Sequence, residues 1–342
     1  MIMPKFQPGR GRQRRRWLGA VALAAVLFGA GYGWYVFQPR VADSKRWDYI
    51  SVAPGQNADS IGVLLQQRGI IRSSLAFRVL SRLDHLSRSL KSGVYRLSPG
   101  ESLTRILQVM KNGNVVVIKV TIPEGFTVTQ IVARLVSHHI GSLQQYRRLE
   151  TKPLPGMPAP SKGVRDPLEG YLFPATYSFP YGVTPRQALQ SMWQIFAAKT
   201  QTLYRKSHTH LSYTEWVTLA SIVQQEDQKP QDAPKIAAVF LNRMKIHMPF
   251  QSDATVRYAL QRQVTSGLSY SDLQVKSPYN TYLHAGLPPG PITNPGMVAL
   301  TAALHPASVP YLYFLGLRNG SDLFATTYQQ HLANIASANS HP

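Results

Sequence analysis

The sequence predicts an α+β protein with one N-terminal membrane-spanning helix, a small mixed unit and a larger mixed domain. Three observations predict it. Residues 17–37 form an uncharged apolar run behind a basic segment. From Trp47 to Ile122, short β-like runs alternate with helical periodicities. From Leu168 onward, helical patterns alternate with proline- and glycine-rich stretches and one aromatic strand.

At 342 residues, 44% of them apolar, the chain has room for two modest domains with real cores. Lys and Arg number 37 against 16 Asp and Glu, a formal charge of +21 that calls for anionic surroundings. Nucleic acid, anionic lipid and acidic wall polymer all fit that charge. The basic residues are scattered rather than set on one recognition helix, and no zinc finger or RNA-binding aromatic motif is present, so nucleic acid is not expected as a partner. There is no cysteine, which excludes disulfides, thiolate metal sites and a cysteine nucleophile. His138-His139 and His208-x-His210 lack a third ligand at metal-like spacing. They read as surface histidines, and no metal or cofactor is expected.

The apolar run comes first. Its 21 residues, at about 1.5 Å each, match a bilayer's hydrocarbon core. Trp17 stands at one end and Trp34 and Tyr35 at the other, where amphipathic rings prefer the headgroups. Lys5, Arg10, Arg12, Arg14, Arg15 and Arg16 precede it, so residues 1–16 read as a cytoplasmic tail and the remainder as lying outside an inner membrane, in the periplasm. A cleaved signal peptide is the competing reading. The run is longer than an ordinary signal core and ends in Trp-Tyr-Val-Phe-Gln-Pro without a small-x-small cleavage site, which favours a retained anchor.

Next, residues 49–52 read as a strand, followed by a Pro-Gly turn and a helix over 58–68 with Ile61, Leu64 and Leu65 on one face and Gly69 as its stop. A second helix follows Ser73-Ser74, then a strand over 94–97, a helix from Ser102 to Gly113 and a β-rich run over 115–122. This β-α-α-β-α-β unit, residues 47–118, resembles a LysM-like module, whose relatives bind N-acetylglucosamine in glycans. A generic α+β spacer fits the same pattern, and no carbohydrate-binding residue can be named from it. After Ile122-Pro123-Glu124-Gly125 a helix is expected over 129–137, then a mobile surface loop over 152–167, where Pro, Gly and Ser interrupt any regular element.

The chemistry points to residues 216–228, WVTLASIVQQEDQ. Leu219, Ile222, Val223 and Glu226 fall at i, i+3, i+4 and i+7, so a carboxyl continues an apolar helical stripe. Desolvation there, and a position near a helix C-terminus implied by Pro230, both raise a carboxyl pKa as a general acid needs. A helix-end glutamate that reaches solvent or pairs with Lys229 is the plain alternative.

Context favours the acid. LASIVQQED, VFLNRM, QSDATVRYAL, SPYNTYLHAGLPPGPITNPG and ALHPASVPYLYF, with LEGYLFPATY before them, occur in one order. These blocks closely resemble the endolytic murein transglycosylase (YceG-like) family over residues 119–331, which implies a YceG-like α+β catalytic domain over 119–335. The resemblance implies a lyase that cuts the β-1,4 bond between N-acetylmuramic acid and N-acetylglucosamine without water, leaving 1,6-anhydro ends. It also implies that Glu226, four positions after the Ile of the LASIV block, is the catalytic acid/base. The family often carries a second glutamate two positions earlier, where this chain has Gln224. Glu169, Gln251, Asp253, Asn280 and Tyr282 lie in the shared blocks as candidate substrate-binding residues, and Tyr171 and Tyr279 as sugar-stacking rings. Each polar candidate has a structural alternative: Glu169 capping a turn, Asp253 capping a helix near Ala254, Asn280 shaping a turn. Pro288-Pro289-Gly290-Pro291 and Asn294-Pro295-Gly296 read as rigid groove walls. Asp322 stands where the family usually has histidine. Peptidoglycan glycan strands are the implied partner, with cell-wall synthases nearby and a role in ending nascent strands. Two rivals remain open, a water-using muramidase with Asp253 as second carboxylate and a non-enzymatic glycan-binding scaffold.

Overall fold

The computed structural model describes residues 10–83, 90–227, 229–262, 267–317 and 319–340, and its chain divides between Val117 and Ile118 into two compact units. Lys5 and Gln228 lie outside the described residues.

In the first unit, α1 (Arg10–Phe37) is one continuous helix, and its stretch Ala20–Phe37 is long and apolar enough to cross a membrane. The basic residues from Arg10 onward belong to the helix itself. Then come β1 (Asp48–Val52), α2 (Ala58–Gln67), α3 (Ser74–Leu83), β2 (Gly93–Leu97) and α4 (Leu103–Asn112). The strands pair antiparallel, Ile50 opposite Tyr95. Asn57 and Ser102 cap α2 and α4 by accepting backbone N–H groups three residues on, and Gly113 closes α4 in the left-handed conformation at φ 67°. Ile61 and Leu65 of the expected stripe meet Phe77, Tyr95, Ile106 and Met110 in a core of their own.

The β-like run expected to close this unit instead supplies β3 (Val117–Thr121), which pairs with β4 (Thr176–Pro180). Ile122 N–H donates to Ala175 O at 2.9 Å. Val120 and Ile122 are buried in the larger core, and that burial sets the strand's allegiance.

Between those strands lie α5 (Val128–Ser137) and α6 (Leu143–Leu149), and after them come α7 (Pro185–Lys206), α8 (Tyr213–Glu226), α9 (Ala233–Lys245), α10 (Asp253–Leu260), α11 (Tyr270–Leu273), α12 (Met297–Leu304), a β5 (Tyr313–Gly316) and β6 (Asp322–Ala325) hairpin, and α13 (Tyr328–Ser340). Residues 152–167 form no regular element, and Arg165 ties their end to Tyr258 O and Ala259 O. The helices α5, α6, α7 and α8 each begin with a capping box, Ser212 and Glu215 in the case of α8.

The helix α8 is the axis of the second unit. Every residue from Trp216 to Val223 is buried, so it is apolar all round where it crosses the core. Trp216 Nε1 donates to Leu300 O of α12 at 2.9 Å, and Ser221 Oγ accepts from Ile292 N–H at 3.0 Å.

Candidate active site

The helix stops at Glu226 because Asp227 turns extended, with ψ 112°, and Pro230 follows. Seven residues after buried Leu219, Glu226 thus leaves the core and projects into a cavity of about 460 Å³. The cavity draws its walls from five further places: Phe240 and Arg243 of α9, residues 250–253, Tyr282, the strand β5, and Tyr328 and His331 at the start of α13.

Ser252 Oγ donates to Glu226 Oε1 at 2.6 Å, and the Ala254 backbone N–H also donates to this carboxyl. Glu226 therefore occupies the acceptor position at the N-terminus of α10, where Ser252 makes no capping bond of its own. Two influences oppose each other. Burial, the largest, pushes the Glu226 carboxyl above its ordinary range, and the neighbouring Asp253 charge adds to it. Ser252, the Ala254 N–H and the Arg243 charge pull it back. The net direction is upward, so the group holds its proton further toward neutral pH, yet its anion has donors waiting.

Arg243 is 7% exposed and links three walls: its Nε donates to Leu312 O at 2.6 Å, its Nη1 donates to Phe250 O, and its guanidinium lies 5.4 Å from the Tyr313 ring centre. His331 stacks on the same ring at 5.2 Å. Burial and the Arg243 charge both push the His331 pKa down, so its imidazole is neutral near pH 7.

Three of the five expected binding residues stand with Glu226. Tyr282 Oη donates to Asp253 Oδ1 at 2.7 Å, fixing both at one wall. Asp253 is the first residue of α10 rather than its cap. Gln251 is exposed at the cavity with φ 49°, held by its N–H to Thr281 O.

The other two do not line the cavity. Glu169 is 3% exposed, accepting from Val128 N–H at the start of α5 at 3.1 Å and from Asn294 Nδ2 at 3.0 Å. Burial and the neighbouring Asp166 charge hold its pKa well above the ordinary range, against the Val128 N–H that favours the anion. Asn280 is fully buried, donating to Leu273 O and Val275 O at 2.9 Å while its Oδ1 accepts from Tyr282 N–H. It shapes the turn that presents Tyr282. Tyr171 packs edge-on to Trp193 and Phe196, Tyr279 packs on Tyr258, and both are buried, so neither offers a face to a sugar. The expected groove walls also belong to the core: Pro291 packs on Gly170, and Asn294 Oδ1 accepts from Leu172 N–H. Asp322 lies in β6 opposite Gly316, beside the charges of Asp232, Lys229 and Lys235, outside the cavity.

The residues that periodicity missed are Ser252, Arg243, Tyr313, Tyr328 and His331. The aromatic strand was a usable signal for Tyr313. His331 was not singled out in the sequence, and it reaches the cavity because α13 folds back onto β5 and β6. Among the described residues no group of three His, Cys, Asp or Glu side chains is placed to hold a metal.

Residues 50–337 match the YceG-like family. The chain belongs to that family. It is 34% identical over 318 residues to the endolytic murein transglycosylase of Bacillus subtilis strain 168, covering 88% of this chain and 87% of that protein. It is 29% identical over 352 residues to the endolytic murein transglycosylase of Streptococcus pneumoniae strain D39, covering 92% of this chain and 63% of the pneumococcal protein's length. The crystal structure of a yceG-like protein from Listeria monocytogenes shares 32% identity and a TM-score of 0.54, covering 85% of this chain and all of that one. The YceG-like family is the one that the LASIV block and its companions resemble.

Proposed function

We propose that this chain is a membrane-anchored endolytic murein transglycosylase in which Glu226 is both acid and base. The observation that carries the reading is one desolvated carboxyl at the end of α8, facing a cavity and backed by Ser252 and the N-terminus of α10. In the forward step Glu226 Oε2 gives its proton to the glycosidic oxygen as the bond from that oxygen to muramyl C1 breaks. The departing N-acetylglucosamine keeps the proton as its 4-hydroxyl. The Glu226 carboxylate, held by Ser252 and Ala254, then takes the proton of the muramyl 6-hydroxyl as its oxygen bonds to C1. The proton balance closes on Glu226, and the product is a 1,6-anhydro end with no water consumed. Because the nucleophile belongs to the same sugar, high effective molarity replaces the second carboxylate that hydrolases use.

Gln251, Asp253 and Tyr282 contact substrate hydroxyl or acetamido groups in this reading, and the exposed Tyr328 offers a ring face at the cavity rim. Residues 17–37 span the inner membrane with residues 1–16 cytoplasmic, supported by the basic flank and the aromatic ends. The β1-α2-α3-β2 order supports a LysM-like module over 47–118. An enzyme tethered there reaches glycan near the membrane, which suits ending nascent strands beside their synthases. Hydrolysis is the second reading, because Asp253 shares the cavity; its Oδ1 is occupied by Tyr282.

The test is Glu226→Gln, which keeps the shape and removes the acid. Cleavage of purified peptidoglycan should fall by about 10³-fold or more with unchanged thermal unfolding. Appreciable activity in a folded variant would overturn the assignment.

A further inference from the structure

Beyond the cavity, the most informative cluster of charge lies at the end of α1 that leads into the first unit. Arg72 places its guanidinium 4.2 Å from the centre of the Tyr35 ring, donates from Nη1 to the Tyr35 hydroxyl at 2.6 Å, and donates from Nη2 to Pro39 O at 2.7 Å. Tyr35 is two residues from the end of the apolar stretch Ala20–Phe37. If α1 spans a bilayer, as proposed above, these contacts fix Arg72 at headgroup depth, because a ring at the end of a span sits in that layer.

The link after the helix is stitched down rather than free. Arg40 Nη1 donates to Gln66 O and Ile71 O, both at 3.2 Å, and Arg46 Nη2 reaches Arg68 O at 3.5 Å. These cations meet the carbonyl end of α2, where the helix dipole favours positive charge. The end of α2 and the loop 68–72 are thereby held against the end of α1.

That loop and link carry exposed Arg40 and Arg68 beside half-buried Arg72. Of the acids along the link, Asp48 pairs with Arg46 at 2.6 Å, and Glu101 accepts from Ser98 N–H at 3.1 Å. We propose that Arg40, Arg68 and Arg72 form a seat for phosphate-bearing anionic lipid headgroups of the leaflet on that side. Exposed Arg68 and Arg40 offer guanidinium N–H donors to phosphate, Arg72, whose Nε and Nη2 hold Pro39 O, adds its charge, and exposed Trp34 and Tyr35 supply the rings that partition into the same layer. An anionic leaflet concentrates negative charge at this depth. The inference rests on the anchoring by α1, and it makes the first unit a collar seated on the membrane surface.

The experiment uses the full chain in nanodiscs of equal phosphatidylglycerol and phosphatidylcholine, with lipids retained after partial delipidation counted by native mass spectrometry. Wild type should retain phosphatidylglycerol over phosphatidylcholine at least about threefold, given several-fold attraction per basic group. The triple variant Arg40→Gln, Arg68→Gln, Arg72→Gln should lose the preference, and the triple Lys variant should keep most of it. Arg68→Gln alone, which leaves the Arg40 and Arg72 contacts in place, should weaken it measurably even if the triple variant misfolds. Equal retention of both lipids by wild type, or retention that ignores all of these substitutions, would overturn the seat. Alkaline carbonate extraction of the wild type from vesicles separates the two ideas: a chain that is released refutes the anchor and the seat together. A chain that stays while showing no lipid preference refutes the seat alone.

Discussion

Ser252→Ala tests the construction of the acid most sharply. The deleted hydroxyl donates to Glu226 Oε1 at 2.6 Å and favours the anion. A hydrogen bond to a charged group is worth about 1.5–3 kcal/mol, which bounds what the anion can lose. The Ala254 N–H and the Arg243 charge remain and still favour the anion, so the part of that loss left to read is about 1.4 kcal/mol, tenfold in proton affinity. The sign follows from the proposed role: with Glu226 as the protonated acid of the free enzyme, activity is lost as pH rises through its pKa, and destabilising the anion moves that loss to higher pH. The assay is the pH profile of kcat/KM on soluble glycan strands for wild type, Ser252→Ala and Ser252→Thr. The alkaline limb should move up by about one pH unit in the alanine variant and return in the threonine variant, which restores the hydroxyl. A uniform loss of activity with an unmoved limb would refute the hydrogen bond's control of Glu226 and leave Ser252 as packing only.

Three other outcomes are expected. Asp166 is pushed from 3.8 to about 7, chiefly by burial, so the folded state holds a proton that the unfolded state releases above about pH 4; stability present below that pH is lost as pH rises toward 7. Asp166→Asn, which keeps an acceptor for Leu168 N–H, should raise stability at pH 8 by about 2 kcal/mol and change it little at pH 4, as read by urea unfolding. Gly170 has φ 88°, and an added Cβ would lie 2.4 Å from Pro291 Cβ; Gly170→Ala should cost about 3 kcal/mol and lower Tm by roughly 10 °C in calorimetry. Tyr328 is 59% exposed at the cavity rim, so Tyr328→Ala should raise KM several-fold with a smaller change in kcat, and Tyr328→Trp should restore it.

The helix α8 was legible in its apolar run from Trp216 to Val223, and Glu226 was legible as the carboxyl at i+7 that continues the stripe of Leu219, Ile222 and Val223. Its partners were not. Ser252 sits 26 residues away in sequence and His331 on a helix at the far end of the chain, and nothing local says that α10 points its N-terminus at α8 or that α13 closes on β5. Depth was equally hidden. Glu169 and Asn280 are polar residues in aromatic, glycine-rich blocks that look like surface recognition, yet each satisfies backbone groups inside the core. The strand over 117–121 read as part of the small unit because β-runs declare their alternation and not their partner. In the first unit, by contrast, Ser102 and Gly113 marked helix ends that the fold keeps, because capping is settled within a few residues.

The most direct test of the account is mass spectrometry of glycan products formed in ¹⁸O-labelled water by the full chain, wild type beside Glu226→Gln. The account predicts anhydro-muramyl ends carrying no label from wild type and no products from the variant. Reducing ends that carry the label would contradict it and identify a hydrolase, and unlabelled anhydro ends from the variant would remove Glu226 from the chemistry.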